Sequence, residues 1–560
     1  MKKILYFLIA VSISFHGYSQ MKPSGKSFNV SEPYKVFDAK TKLYFTKGKE
    51  AMAIKFDGDN VIIQKFDTEK PSFVKEKKYE KFFPKNYAVE KITELNNKYY
   101  FLFSSWDGDN KKEQCFSIEI DFEKGEFIGT PKLMFQVDGK IAGNQVAVMT
   151  GGFSYEIDPG YKFKFYESHD KKNILIEYRK KPEVKRDVKS YDIIGLHTYD
   201  SNLNKVSSHE FTMPYTERRM DNLDYQVDNQ GNLYVLVKVF NDDSYDEKSK
   251  KKDEEANYHI ELFLIKSGST KIEISKFENK DKFINKLWLF DTEKDFLVCV
   301  GFYSNGHVDS YKNGAYTDKK NDFDDSDGIV TLKIKPDGTI YDQTFNEIPT
   351  EVLNQYETDK TKKRNEKKER NGEGAQFSDL QMTNLVINKD GSIVIIGEQI
   401  FTVQRGGYGS MGGSARTYST YHYCDILASK LNPDGKIEWM KRIPKNQKGN
   451  FGLGGMSFNY FNTNNSHYFV YLDNIKNIDL SLDKEPAQHS DGKGGYLTLV
   501  KIADSDGALK KESILNAREI EDFEIFQYAT KRVFKTSENS FMFEVYKKKK
   551  EDVMIKVNLN

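Results

Sequence analysis

Three cysteines and nine histidines in 560 residues leave little for metal or disulfide chemistry to work with. Cys115, Cys299 and Cys424 are an odd set without C-x-x-C or paired Cys/His spacing, so neither a disulfide framework nor a zinc site is written here. They read as three separate buried thiols packed as small hydrophobes. The histidines are scattered and no H-E-x-x-H occurs; His307, His422 and His489 fall in predicted connections and His169 beside a turn. Neither sign of charge is in excess, with 85 Lys and Arg against 84 Asp and Glu. Nucleic-acid binding is therefore set aside, since it needs a basic footprint. Beyond residue 20 no apolar run is long enough to cross a bilayer.

The first twenty residues are of a different kind. A basic start (Lys2, Lys3), an apolar stretch from Ile4 to Phe15, and small residues Gly17 and Ser19 before Gln20 read as a secretory signal covering residues 1–19. Removing it leaves 83 basic against 84 acidic residues. No cysteine follows the apolar stretch to carry a lipid anchor. The expectation is an exported protein, periplasmic or extracellular, without a transmembrane segment after cleavage.

What the chain has in quantity is β-forming residues, including 34 Tyr and 40 Phe. They are arranged in a repeat. INKDGSIVIIGEQI (residues 387–400) and ILASKLNPDGKIEWMKRI (residues 426–443) are each an apolar run, an Asp-Gly turn and a second apolar run. Glycine serves there because the turn needs a positive φ, which a Cβ would disfavour. Eight such double hairpins follow one another, at about residues 41–82, 87–136, 161–214, 220–277, 283–348, 387–443, 456–515 and 523–560. The last lacks a fourth strand, and Lys26–Asp38, interrupted by Pro33, is available to supply it. The pattern predicts an all-β fold: a β-propeller of four-stranded antiparallel blades, eight favoured and seven the fallback, closed by the N-terminal strand. Residues 20–560 then form one domain.

The insertions obey a rule. With strands A to D in each blade, the A–B and C–D turns are tight, as in DNQG, NKDG, NPDG and DSDG. The long inserts at 241–258, 304–327, 402–422 and 474–495 fall between B and C, and 354–376 falls between D and the next A. All of them belong to one face, where binding concentrates on a rigid scaffold.

Within that face, Thr402–His422 is rich in glycine and carries Arg405, Tyr408, Arg416, Tyr418, Tyr421 and His422. Forked donors and planar rings suit sugars, peptides or acidic groups. A flexible loop with no fixed ligand is the plainer reading. Its glycines form neither a phosphate loop nor a G-x-S-x-G elbow. Trp106, in WDGDN, sets an aromatic beside two carboxylates. DKKNDFDDSDG at 318–328 offers Asp322, Asp324 and Asp327 as Ca²⁺ ligands, although its glycine comes one place late and no Glu closes it as in an EF-hand. The runs at 241–258 and 354–376 are mixed-charge without apolar periodicity and read as disordered or frayed helix in water, with Lys360–Arg370 a basic stretch suited to an anionic glycan or lipid head group. No named catalytic constellation is found.

Asp228–Val235, DNQGNLYV, resembles the D-x-x-G-N-L-Y-V turn of NHL-type propellers. The signal ending YSQ and repeats such as DILASKLNPDGKIEWMKRIPKNQ resemble those of secreted propeller-like proteins of Bacteroidota, of unassigned function. The resemblance implies location and fold. It leaves three expectations: a non-catalytic binding or scaffold propeller engaging a protein or glycan at the cell envelope, a propeller hydrolase or lyase acting on a polysaccharide at the axial mouth, or a structural envelope component.

Overall fold

The computed structural model describes residues 28–559, apart from stretches at 143–161, 182–188, 248–254, 307–310, 313–314, 317–324, 407–416 and 450–454 and some single or paired positions. Eight four-stranded antiparallel sheets follow in order, and their boundaries follow the repeat read from the sequence except that blade six begins at Leu380 and not at Ile387, and blade eight at Val533 and not at Phe523. Blade one is Thr41–Lys47, Glu50–Asp57, Asn60–Asp67 and Ser72–Glu80. Blade six contains Leu380–Ile387, Ile393–Gly406, Thr417–Leu431 and Ile437–Ile443. Gly391 and Gly435 end its two tight turns at φ of 93° and 78°, the left-handed conformation for which the Asp-Gly pairs serve.

Packing shows that the sheets form a closed ring. Successive residues of a strand point to opposite faces of its sheet. In blade six, Ile393 and Ile395 therefore pack toward blade five, while Val394 and Ile396 pack toward blade seven. This is why the strands read as unbroken apolar runs and not as alternating ones. Apolar side chains gather in eight clusters, each joining two neighbouring blades, and the eighth joins blade eight to blade one. Cys115 and Cys299 are buried thiols and Cys424 is half-buried, none of them in a disulfide.

The N-terminal strand closes the ring. Phe28–Val30 pairs with Glu551–Asn558 as the outermost strand of blade eight, and Tyr34–Lys35 pairs with its other end. Pro33 has no N–H to give the ladder. Across the interruption the Met554 N–H donates instead to Ser31 Oγ at 2.9 Å.

The apolar cluster at this closure is sparse, with Ala51 and Ala53 in place of larger residues. Beside it lies a buried ionic cluster. Glu544 accepts from Lys42 Nζ at 2.6 Å, Tyr34 Oη at 2.7 Å, Tyr44 Oη at 2.9 Å and Lys55 Nζ, while Lys42 also reaches Asp552 at 3.1 Å. Burial alone would raise the Glu544 carboxyl, but the Lys55 and Lys42 ammonium groups outweigh it and hold that carboxyl well below the ordinary range. Asp552 is pushed up to about 6 by burial and then by the charge of Glu544.

Two connections depart from a plain meander. Glu519–Ile520 and Phe523–Gln527 join blades seven and eight into one continuous sheet, so the innermost strand of blade eight is Val533–Ser537. The mixed-charge run at 354–376, read as disordered or frayed in water, follows helix α1 (Thr350–Asn354) and is ordered by tertiary contacts into helix α2 (Asp359–Arg370). No helix among the described residues is long and apolar enough to cross a membrane.

Candidate functional site

The face carrying the B–C and D–A connections is built up over blades five to seven. In blade six, strands B and C run beyond the sheet as a ribbon, paired from Phe401↔His422 to Gly406↔Thr417. The described ends of the stretch read as a loop at 402–422, residues 402–406 and 417–422, are thus a continued β-ladder. After Pro444 the chain keeps to the ribbon: Gln447–Gly449 pairs with strand C, and His489–Ser490 from the blade-seven insert adds in parallel.

Buried polar groups fix these pieces to one another. Arg442 donates to Asp425 at 2.6 Å and to Glu357, just before α2, at 2.7 Å, while its guanidinium lies 5.3 Å from the centre of the Phe377 ring. Asp425 also accepts the Lys445 N–H at 2.8 Å. The Lys445 ammonium, fully buried, sits 2.6 Å from Glu398, whose other oxygen accepts from Ser457 at 2.6 Å. The Tyr356 N–H donates at 2.7 Å to the Leu482 carbonyl, joining the helical insert to the blade-seven insert. The result is one rim in which charge-assisted bonds hold the helical insert to blade six and the base of the ribbon together, and backbone bonds add the blade-seven insert.

The residues singled out from the sequence are distributed unevenly over this arrangement. Tyr408 and Arg416 lie outside the described residues. Arg405 is paired with Tyr418 across the ribbon, and Tyr421 with Thr402. His422 is half-buried with its ring stacked on Phe401 at 4.7 Å, so it belongs to the ribbon's own packing. Trp106 is in blade two, on the other side of the ring; its carbonyl accepts from Asn86 and Lys140 lies 5.7 Å from the ring centre. Asp322 and Asp324 lie outside the described residues. Asp327 is buried and accepts from the Asn305 N–H at 2.6 Å and Gln376 Nε2 at 2.9 Å, which ties blade five to the helical insert. Among the described residues no three His, Cys, Asp or Glu are grouped so as to hold a metal.

The opposite face holds a group the sequence did not bring together. The A–B turns of blades three, four and five meet near the axis, where Asp291 accepts the His169 N–H at 2.8 Å. The Asn229 amide donates to Asp291 at 2.9 Å and to Asp170 at 3.0 Å. Asp291 is pushed up to about 7, chiefly by burial and then by Asp228 and Asp170. Burial also raises Asp170, but bonds from Ser168 and Lys172 outweigh it and hold that carboxyl low. Beside them an open depression of about 230 Å³ is lined by His169, Thr292, Phe296 and Asn388 among others.

No family model matches the sequence, and no curated protein matches it. Solved structures that resemble the chain include one from a study of two prolyl endopeptidases (TM-score 0.36, 11% identity, 93% of this chain and 55% of that one). Prolyl oligopeptidase B from Galerina marginata, bound to a 35mer hydrolysis and macrocyclization substrate, gives 0.34 at 10% identity over 92% of this chain and 55% of that one. The β-propeller domain of the Trilobed protease from Pyrococcus furiosus gives 0.32 at 10% identity over 87% and 95%. The chain thus spans about half the length of the peptidases it resembles. At these scores the propeller assignment stands on the eight sheets themselves.

Proposed function

We propose that the protein is an exported, non-catalytic binding or scaffold propeller that engages a protein or glycan at the cell envelope through its insert-bearing rim. The observation that carries this reading is the construction of the rim. Long inserts from consecutive blades are fastened at their bases by Arg442, Asp425, Glu357, Lys445 and Glu398, which preorganises the rim. Preorganised loops lose less entropy on binding.

The test compares the mature chain with a variant whose ribbon is shortened to a two-residue turn after Val403 and whose residues 357–373 are replaced by a Gly-Ser linker. Both are applied to purified neutral and acidic polysaccharides and to immobilised envelope proteins, with matched melting temperatures as the control. Binding that the trimmed variant loses supports the reading. Binding that survives trimming, or that is lost only on Asp291→Asn, refutes it.

A second reading, hydrolysis or elimination on a polysaccharide, draws on the axial turns. There Asp291 at about 7 beside a low Asp170 is the split expected of an acid and a base. It ranks second because turn N–H groups and Asn229 already occupy these carboxylates. Release of reducing ends that is abolished by Asp291→Asn would move it to first place.

A further inference from the structure

Helix α2 is unusual on this surface. It reads DKTKKRNEKKER, seven basic residues against three acidic ones, with no apolar residue and none buried. It is nevertheless well fixed. Thr358 caps its N-terminus by accepting the Thr361 N–H, Asn365 donates to Asn354 at 2.9 Å, and Glu369 accepts the Ala375 N–H at 2.8 Å. One side thus faces the body. The other carries Lys360, Lys363, Arg364 and Lys367, all exposed.

Their spacing of i, i+3, i+4 and i+7 puts them in one sector of about 100°, along about 10 Å of helix. Among the described residues none of the four forms an ion pair, although a chain this rich in carboxylates pairs lysines widely elsewhere. Four cations held side by side on a fixed element repel one another, and an anionic ligand would relieve that repulsion.

We infer that this stripe is a docking surface for an acidic polysaccharide, a linear polymer bearing carboxylate or sulfate groups. The inference rests on the rim-binding reading and names its partner class. Three observations favour this polymer over other polyanions. A membrane-surface helix needs an apolar face to insert, and α2 has none. The nearby exposed Leu482 does not supply one, because it is a single side chain on another segment and not a face of the helix. A protein partner would be expected to find an aromatic or aliphatic anchor at the centre of its contact, and the stripe offers only charge.

The experiment uses the mature full-length chain, the charge-reversed K363E/R364E/K367E variant, its neutral K363Q/R364Q/K367Q counterpart, and a control with Lys77→Glu and Lys85→Glu on the outer edge of blade one and the loop after it. The probes are polygalacturonate, dextran sulfate, neutral dextran, and phosphatidylcholine vesicles containing about one-third phosphatidylglycerol. Expected is binding of wild type and control to the acidic polymers alone. It should weaken about tenfold or more in the neutral variant, be lost on reversal, and fall steeply toward about 0.5 M salt. Equal binding by the reversed variant, or a preference for the vesicles, overturns the inference. So does the absence of polymer binding, and if trimming the rim still abolishes a neutral-glycan or protein contact in that case, the rim reading survives without it.

Discussion

Replacing Glu544 by glutamine is the sharpest perturbation of ring closure. The side chain keeps its shape and can still accept hydrogen bonds, but the Lys42 and Lys55 ammonium groups are left with Asp552 as their one carboxylate. All four groups are almost completely buried, so water cannot screen the imbalance. Breaking a buried ion cluster by removing one partner costs about 3–5 kcal/mol. That is a large part of the ~5–15 kcal/mol by which domains are stable.

The assay is unfolding in urea, followed by fluorescence, together with hydrogen exchange at the Phe28–Val30 strand that closes the ring. If the cost appears wholly in the unfolding rate, 3 kcal/mol is about a hundredfold acceleration. The closing strand should lose protection first, since Tyr34 just beyond it is one of the donors that Glu544 anchors. A second variant separates charge from packing. Adding Lys55→Met to Glu544→Gln leaves Lys42 and Asp552 as a balanced pair, and about tenfold or more of the lost kinetic stability should return. If Glu544→Gln unfolds within about threefold of wild type, or if the double variant is no better than the single one, the cluster does not hold the ring shut.

Three other perturbations follow from the same physics. Glu90 is buried and pushed up to about 7 chiefly by burial, so the folded state holds its proton where the unfolded chain has released it; stability should fall as pH rises from about 4.5 to about 7, by up to about 3 kcal/mol, and Glu90→Gln should flatten a Tm-against-pH profile across that window. Arg442→Ala leaves Asp425 buried without its guanidinium and frees Glu357, so trypsin should cut within Lys360–Arg370 much faster than in wild type while the blades stay resistant; equal cutting would mean that α2 is held by other contacts. A chain starting at residue 39 exposes the edge of Glu551–Asn558 and should self-associate through it in sedimentation, whereas an unchanged monomer would show that blade eight needs no outer strand.

Much of this architecture was legible in the sequence, because the repeat is made of local signals. Asp-Gly turns and runs such as IVIIGEQI set the strands. The shortage of one strand at the C-terminus pointed to Lys26–Asp38, which is where the ring closes. The ribbon in blade six was misread because its glycines mask a register that is visible only once strand C is seen to continue to Thr417. Helix α2 was read as frayed because mixed charge gives no periodicity; what orders it are contacts outside the run's own pattern, Asn365 with Asn354 and, just before the helix, Glu357 with Arg442 at a separation of 85 residues. The buried clusters did leave a trace. Lys55 in AMAIKF and Glu544 in SFMFEVY are single charges inside apolar runs, each a residue that must find a partner when buried. Which partner it finds is set by closure of the ring, nearly 500 residues along the chain.

The two faces of the ring differ in how their polar groups are used, and that difference supports placing binding on the rim. At the tight-turn end, Asp170, Asp228 and Asp291 are occupied by N–H groups of their own or neighbouring turns and by Asn229 and Asn232. Their hydrogen bonds hold adjacent blades in step. At the rim the order is reversed, with Arg442, Lys445, Asp425 and Glu398 paired beneath while Lys360, Lys363, Arg364 and Lys367 of α2 stand outside with no ion pair among the described residues. A structural surface would gain by pairing those cations with some of the chain's 84 carboxylates. Leaving these four unpaired on a helix whose approach is fixed by the Arg442–Glu357 ion pair makes physical sense where a ligand completes the charge balance.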